Sequence, residues 1–144
     1  MTGLHMVLGI GVLATNGGAA VWGAVAYLRG QPSRWFWPLL RVAQATVAAQ
    51  VVLGLILAAR GAEAPDGLHF VYGVAPLLVT LFSEGFRATV ALRVLEDVPD
   101  IEGLERAEQV SIARRVALAE MGVMTVGLLL ILTLALRAYV TGGG

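Results

Sequence analysis

The stretch Met121-Gly-Val-Met-Thr-Val-Gly-Leu-Leu-Leu-Ile-Leu-Thr-Leu-Ala-Leu136 carries no charged residue, and its apolar character extends from Val116 to Tyr139. At a rise of about 1.5 Å per residue, such a run crosses a hydrocarbon core of roughly 30 Å as one helix. Three further runs of the same kind precede it, Leu4 to Leu28, Trp35 to Ala59 and Leu68 to Leu95. The first three runs are separated by Arg29-Gly-Gln-Pro-Ser-Arg34 and Arg60-Gly-Ala-Glu-Ala-Pro-Asp-Gly67, whose Gly and Pro stop helices. Short turns make sequential spans antiparallel neighbours. The expected fold is therefore an all-α, integral membrane, four-helix up-down bundle, with residues 1–144 forming a single transmembrane domain in the lipid bilayer.

Composition agrees: 58% of residues are hydrophobic and mean hydropathy is +0.79, whereas apolar residues make up roughly half of a soluble domain. The formal net charge is zero, so no nucleic acid partner is indicated. With no cysteine in the chain, disulfides, thiolate nucleophiles, iron–sulfur ligation and cysteine-based zinc sites are all excluded. The N-terminal run lacks a basic leader and is too long for a cleaved signal, so it reads as a retained first span.

Arg29, Arg34, Arg41, Arg87, Arg93, Arg106, Arg114 and Arg115 fall toward one side of the membrane, and Arg60 and Arg137 toward the other. Positive loops stay inside, which puts both termini outside a cytoplasmic (inner) membrane. Trp35 and Trp37 would then anchor the inner interface, and Phe70, Tyr72 and Tyr139 the outer one. Residues 96–115 mix Asp97, Asp100, Glu102, Glu105 and Glu108 with arginines. They are expected to prolong the third and fourth spans into the cytoplasm as a short helical hairpin bent at Pro99 and Gly103.

The motif G-L-H-x-V-x-G occurs twice, with His5 at the start of the first span and His69 at the start of the third. Its recurrence at equivalent places in two hairpins suggests an internal duplication of a two-helix unit. His5 and His69 are the only histidines. Spans one and three run the same way and lie diagonally opposite in an up-down bundle, so both imidazoles sit near the outer face and can meet across the core. Gly9 and Gly73, one turn on, leave space beside each ring where a planar group could approach the backbone.

On these features the chain resembles the four-helix haem bundles of membrane b-type cytochromes, and it is similar in plan to one half of haem A synthase. The resemblance covers all four spans in topology and the two histidine segments in motif. It implies a haem b with His5 and His69 as axial ligands, and Arg60 pairing with its propionates. Six-coordinate iron has no open position for oxygen, so the implied role is electron transfer or haem handling.

The His69 face of span three continues through Gly73, Pro76, Thr80, Glu84 and Arg87, a small and polar stripe expected to face the bundle interior. Pro76 should free the Tyr72 carbonyl and kink the helix. Glu84 lies about 22 Å from His69 along the helix. An ion-pair cluster of Glu84, Arg87 and Glu120 with Arg41 and Arg115 is expected there. Asn16 and Gln50 are expected to hydrogen-bond between spans one and two, with Gln44 acting similarly nearer the inner side. Glycines 9, 11, 17, 18 and 23 suit close helix contact, within the bundle or in a homo-oligomer.

Three other roles fit parts of the sequence. A cofactor-free accessory subunit or assembly factor of a larger membrane complex suits a hydrophobic chain with short loops. A small proton-coupled exporter would use Glu84 as its membrane carboxylate. A metal ion at the outer surface could be held by the histidines with Glu63 or Asp66. No catalytic constellation is apparent, because Ser33, Ser83 and Ser111 lie near the inner side, away from both histidines.

Overall fold

The computed structural model describes residues 2–64, 67–98 and 100–141. It contains four helices, α1 (Thr2–Leu28), α2 (Phe36–Ala59), α3 (His69–Leu95) and α4 (Arg106–Thr141). All four are long and apolar enough to cross a membrane, and the chain is an all-α multi-pass membrane protein. Pro65, Asp66 and Pro99, which figure in the expected turns, lie outside the described residues.

The first two helices end in the same way. Gly30 and Gly61 take positive φ, at 61° and 81°, a region open to glycine because it has no Cβ. After α1, the Gly30 and Gln31 amides donate to the Tyr27 and Ala26 carbonyls at 2.9 and 3.0 Å; after α2, the Gly61 and Ala62 amides donate to the Ala58 and Leu57 carbonyls, both at 3.0 Å. Each is a Schellman turn, which satisfies carbonyls that the helix end would otherwise leave bare in the membrane interface.

Chain neighbours pack against one another, and α4 returns to α1, so the bundle closes. Among these neighbours, contact is most extensive between α3 and α4 and sparsest between α2 and α3. The main core lies in the half away from the termini, the inner half of the expected orientation, where Ala19, Ala20 and Ala26 of α1 meet Phe36, Leu40 and Ala43 of α2 and Met121, Met124 and Leu128 of α4. Gly23 is the point of closest approach, since a Cβ there would collide with the Thr125 hydroxyl and the Phe36 ring. Small residues admit such contact, and in lipid packing of this kind, not apolar burial, drives helix association.

Helix α4 begins ten residues before the apolar run, Arg106–Arg115 forming the expected helical extension of the fourth span. Arg114 uses that extension to donate from Nε (3.0 Å) and Nη2 (2.5 Å) to the Gly30 carbonyl, tying α4 to the α1–α2 turn. The expected helical hairpin is thus only half formed, with α3 stopping at Leu95. Beyond it, Asp100 Oδ1 accepts the amides of Glu102 and Gly103 at 3.1 and 3.2 Å. That side-chain acceptor offers the backbone a local alternative to helix.

Candidate functional site

At the outer end, His5 from the second turn of α1 and His69 from the first of α3 meet across the diagonal of the bundle. Their ring centroids are 6.2 Å apart and their planes are inclined by 56°. Both rings are partly exposed and border a cleft of about 460 Å³. All four helices and the α2–α3 connection contribute to its walls, with Val12, Val47, Pro76 and Ala135 at its deepest level. The cleft occupies the half of the bundle that carries both termini. A cavity of this size, mostly apolar with a few convergent polar groups, is the usual form of a small-molecule site.

His5 is held by α2. Its Nε2 lies 3.3 Å from Gln50 Nε2, and its Cε1 sits 3.3 Å from where a Cβ would stand on Gly54. The relation is reciprocal, because a Cβ on Gly9 would stand 3.3 Å from Gln50 Nε2. Each of the two long polar side chains therefore lies over a glycine of the facing helix. The space beside Gly9, expected to receive a planar group, is taken by Gln50. Gly73 is different: a Cβ there meets nothing within 4 Å, and the residue borders the open cleft. His5 Nδ1 and Gln50 Oε1 are buried with no hydrogen-bond partner among the described residues.

The expected Asn16–Gln50 bond does not form. Asn16 is fully buried and its Nδ2 donates to the Val12 carbonyl of its own helix at 2.9 Å. The cause is register: His5 stands opposite Gln50, and the Thr15 and Thr46 hydroxyls pair at 2.8 Å. Asn16 thus lies about three turns deeper than His5, at 5.4 Å per turn. Gln50 is committed to the outer end.

Arg60 closes α2 at its C-cap and is exposed, with Ala58 and Ala62 on either side of it lining the cleft. Tyr72 and Tyr139 also line it, and Arg137 lies over the Tyr72 ring at 5.9 Å. Glu63 borders the mouth, but no group of three or more metal-ligating side chains occurs among the described residues. Asp66, the other carboxylate considered for an outer metal site, lies outside the described residues.

The polar stripe of α3 does face inward, with Pro76, Thr80 and Ser83 buried. The helix continues through Pro76, whose carbonyl accepts the Thr80 hydroxyl at 2.9 Å. At the inner end, Glu84 receives Arg41 at 2.5 Å and Arg87 at 3.0 Å, and Arg87 reaches Glu120 at 3.7 Å. Gln44 Nε2 donates to Glu84 at 2.8 Å, and the Arg87 guanidinium lies over Trp37 at 5.3 Å. Arg115, expected in this cluster, is exposed and joins none of these pairs.

Sequence reasoning brought the two histidines together but missed Gln50 as a partner of His5 and missed Gly54 altogether. The only available signal was spacing, since Gly54 follows Gln50 by one turn on the same face of α2. The site thus defines a multi-pass helical membrane protein with a facing imidazole pair in a cleft at the end of the bundle that carries both termini. Compared with protein-family models, curated proteins and solved structures, the chain matches none.

Proposed function

We propose that this chain is a small haem-binding protein of the cytoplasmic (inner) membrane, with both termini outside, that carries haem b between His5 and His69 in an electron-transfer or haem-handling role. The observation that carries this reading is the 6.2 Å separation of the two ring centroids across the bundle diagonal. A metal bonded at about 2.1 Å to one nitrogen of each imidazole holds the centroids roughly 6 Å apart.

Three further features support the fit. His5 Nδ1 is buried without a hydrogen-bond partner among the described residues. The cleft beside the rings is lined largely by apolar side chains and is open at Gly73. Two histidines without a third ligand are a poor set for a bare metal ion, which takes three or four protein ligands, but they suffice where a macrocycle supplies the equatorial donors. Haem, when bound, supplies a one-electron couple. The chain's own residues orient the two imidazoles, close the site to water from below with Val12, Val47 and Ile131, and place Arg60 at the mouth for anionic substituents.

An absorption spectrum of detergent-purified protein, oxidised and then reduced with dithionite, tests the proposal. A Soret band with sharp reduced α and β bands, lost in His5→Ala and in His69→Ala, is the expected result. A featureless spectrum after expression with ample haem would overturn it and leave a cofactor-free accessory subunit as the reading to pursue.

A further inference from the structure

The end of the bundle away from the termini is divided by charge. Residues 1–62 contain no Asp or Glu, so every carboxylate at that end comes from α3, α4 and the connection between them. Arg41 and Arg87 pair with Glu84, and Arg87 also with Glu120. Arg29 and Arg34, which flank the α1–α2 turn, are exposed, and among the described residues their side chains pair with no carboxylate and make no hydrogen bond. Arg114 brings a third guanidinium to the same turn, where Nε and Nη2 donate to the Gly30 carbonyl and the remaining N–H groups of its five are left over.

We infer that this turn binds the headgroup phosphate of an anionic phospholipid, at a site separate from the histidine cleft and independent of what fills it. The turn is held on α4, since the Ser33 amide meets Met121 Sδ at 3.4 Å and Arg114 holds Gly30. Arg34 lies over the Trp35 ring at 5.6 Å, a cation–π contact that places its charge at the edge of the apolar surface. Ser33 Oγ accepts the Trp22 indole N–H at 3.0 Å, so its own hydrogen is available to an acceptor. Arginine pairs with phosphate oxygens through charge-assisted hydrogen bonds. A lipid suits the site better than free phosphate because exposed apolar surface adjoins the arginines: Trp22 and Trp35 are exposed, and Leu28 is 83% exposed. Tryptophans favour the level of the headgroups, which leaves acyl chains to cover that surface. A zwitterionic headgroup brings a cation with its phosphate, and residues 1–62 offer no carboxylate to receive it.

The chain's three tryptophans, Trp22, Trp35 and Trp37, all lie toward this end, so their fluorescence reports the lipids beside it. The test places full-length protein in phosphatidylcholine vesicles with rising fractions of brominated phosphatidylglycerol, whose bromine quenches neighbouring indoles. Quenching gives the binding constant of the anionic lipid relative to phosphatidylcholine. The wild type should prefer phosphatidylglycerol, and Arg29→Gln combined with Arg34→Gln should reduce that preference by roughly fivefold per arginine removed. Both arginines are exposed, so neither substitution threatens folding. Arg93→Gln with Arg106→Gln, which removes two exposed arginines beside the acidic connection, should leave the preference unchanged. Equal losses in the two double variants would assign the effect to net charge and overturn the inference. A wild type without preference overturns it as well. So does displacement of the brominated lipid by inorganic phosphate at constant ionic strength, which would make the turn a site for the free ion. Cross-linked oligomers that disappear in Arg29→Gln/Arg34→Gln, with no lipid preference, would give the turn to the acidic connection of a second copy and overturn it too.

Discussion

The inner and outer halves of the bundle are built differently. In the inner half, three helices meet at Gly23 over the fully buried Phe36, and polar groups pair between helices, Arg41 and Gln44 of α2 with Glu84 of α3. In the outer half, the four helices leave a cleft beside the facing histidines, with the Gly73 side of α3 open to it. Buried polar atoms without partners, which cost about 1–3 kcal/mol each, occur in both halves, at Asn16 Oδ1 and Thr125 Oγ1 as well as at the His5–Gln50 contact. The contrast teaches where the chain is specified by close packing and where room to bind is left.

The same substitution at each end should break that contrast most sharply. Gly23→Leu puts a side chain into Phe36 and Thr125, and should destabilise by about 3 kcal/mol or prevent folding, since overpacking without room to relax costs 1–3 and sometimes more. Gly73→Leu points into open space and should leave the melting temperature within a few degrees of wild type while filling the cleft and abolishing haem uptake. Thermal melting in detergent paired with haem titration reads both outcomes, and equal melting temperatures for the two variants would contradict the division into halves.

A smaller loss is expected from Glu84→Ala, which leaves Arg41 and Arg87 without their shared acceptor. Glu84 is only 26% exposed, so the cost should exceed that of a surface pair, at about 1–2 kcal/mol. Resistance to unfolding by a denaturing detergent would register it, and a haem spectrum unchanged in the folded fraction would show that the inner network acts apart from the outer site. Smallest of all should be Arg114→Ala, which removes an exposed tie between α4 and the Gly30 carbonyl. A change of roughly 0.5 kcal/mol is expected, detectable as faster hydrogen exchange in the first turns of α4 with little change in global melting.

Much of this architecture was legible beforehand for reasons that are local. Twenty or so apolar residues bounded by Arg-Gly read as a span because lipid admits no unsatisfied backbone. The Gly30 and Gly61 turns follow from the positive φ that glycine alone tolerates well. Even the meeting of His5 with His69 was accessible, because parity in an up-down bundle sets which helices run parallel and which lie diagonal. Asn16 shows where such reasoning fails: depth counted from the middle of each helix put it beside Gln50, but antiparallel helices slide, and Gln50 stands opposite His5, about three turns away. The ten residues by which α4 precedes its apolar run were expected as one arm of a helical hairpin and are helical, whereas the other arm was expected and is not, α3 stopping at Leu95.

The sequence by itself determined the membrane class, the number of helices, their turns and the common depth of the two histidines, because each depends on hydropathy, glycine conformation or chain parity. Tertiary structure alone decided that Gln50 engages His5, that Gly9 and Gly54 accommodate that pair, that Gly73 stays open, and that a cleft remains among the four helices beside the histidines. Those outcomes depend on the axial register and rotation of one helix against another, which arise from the packing of many side chains at once and leave no periodic trace along the chain.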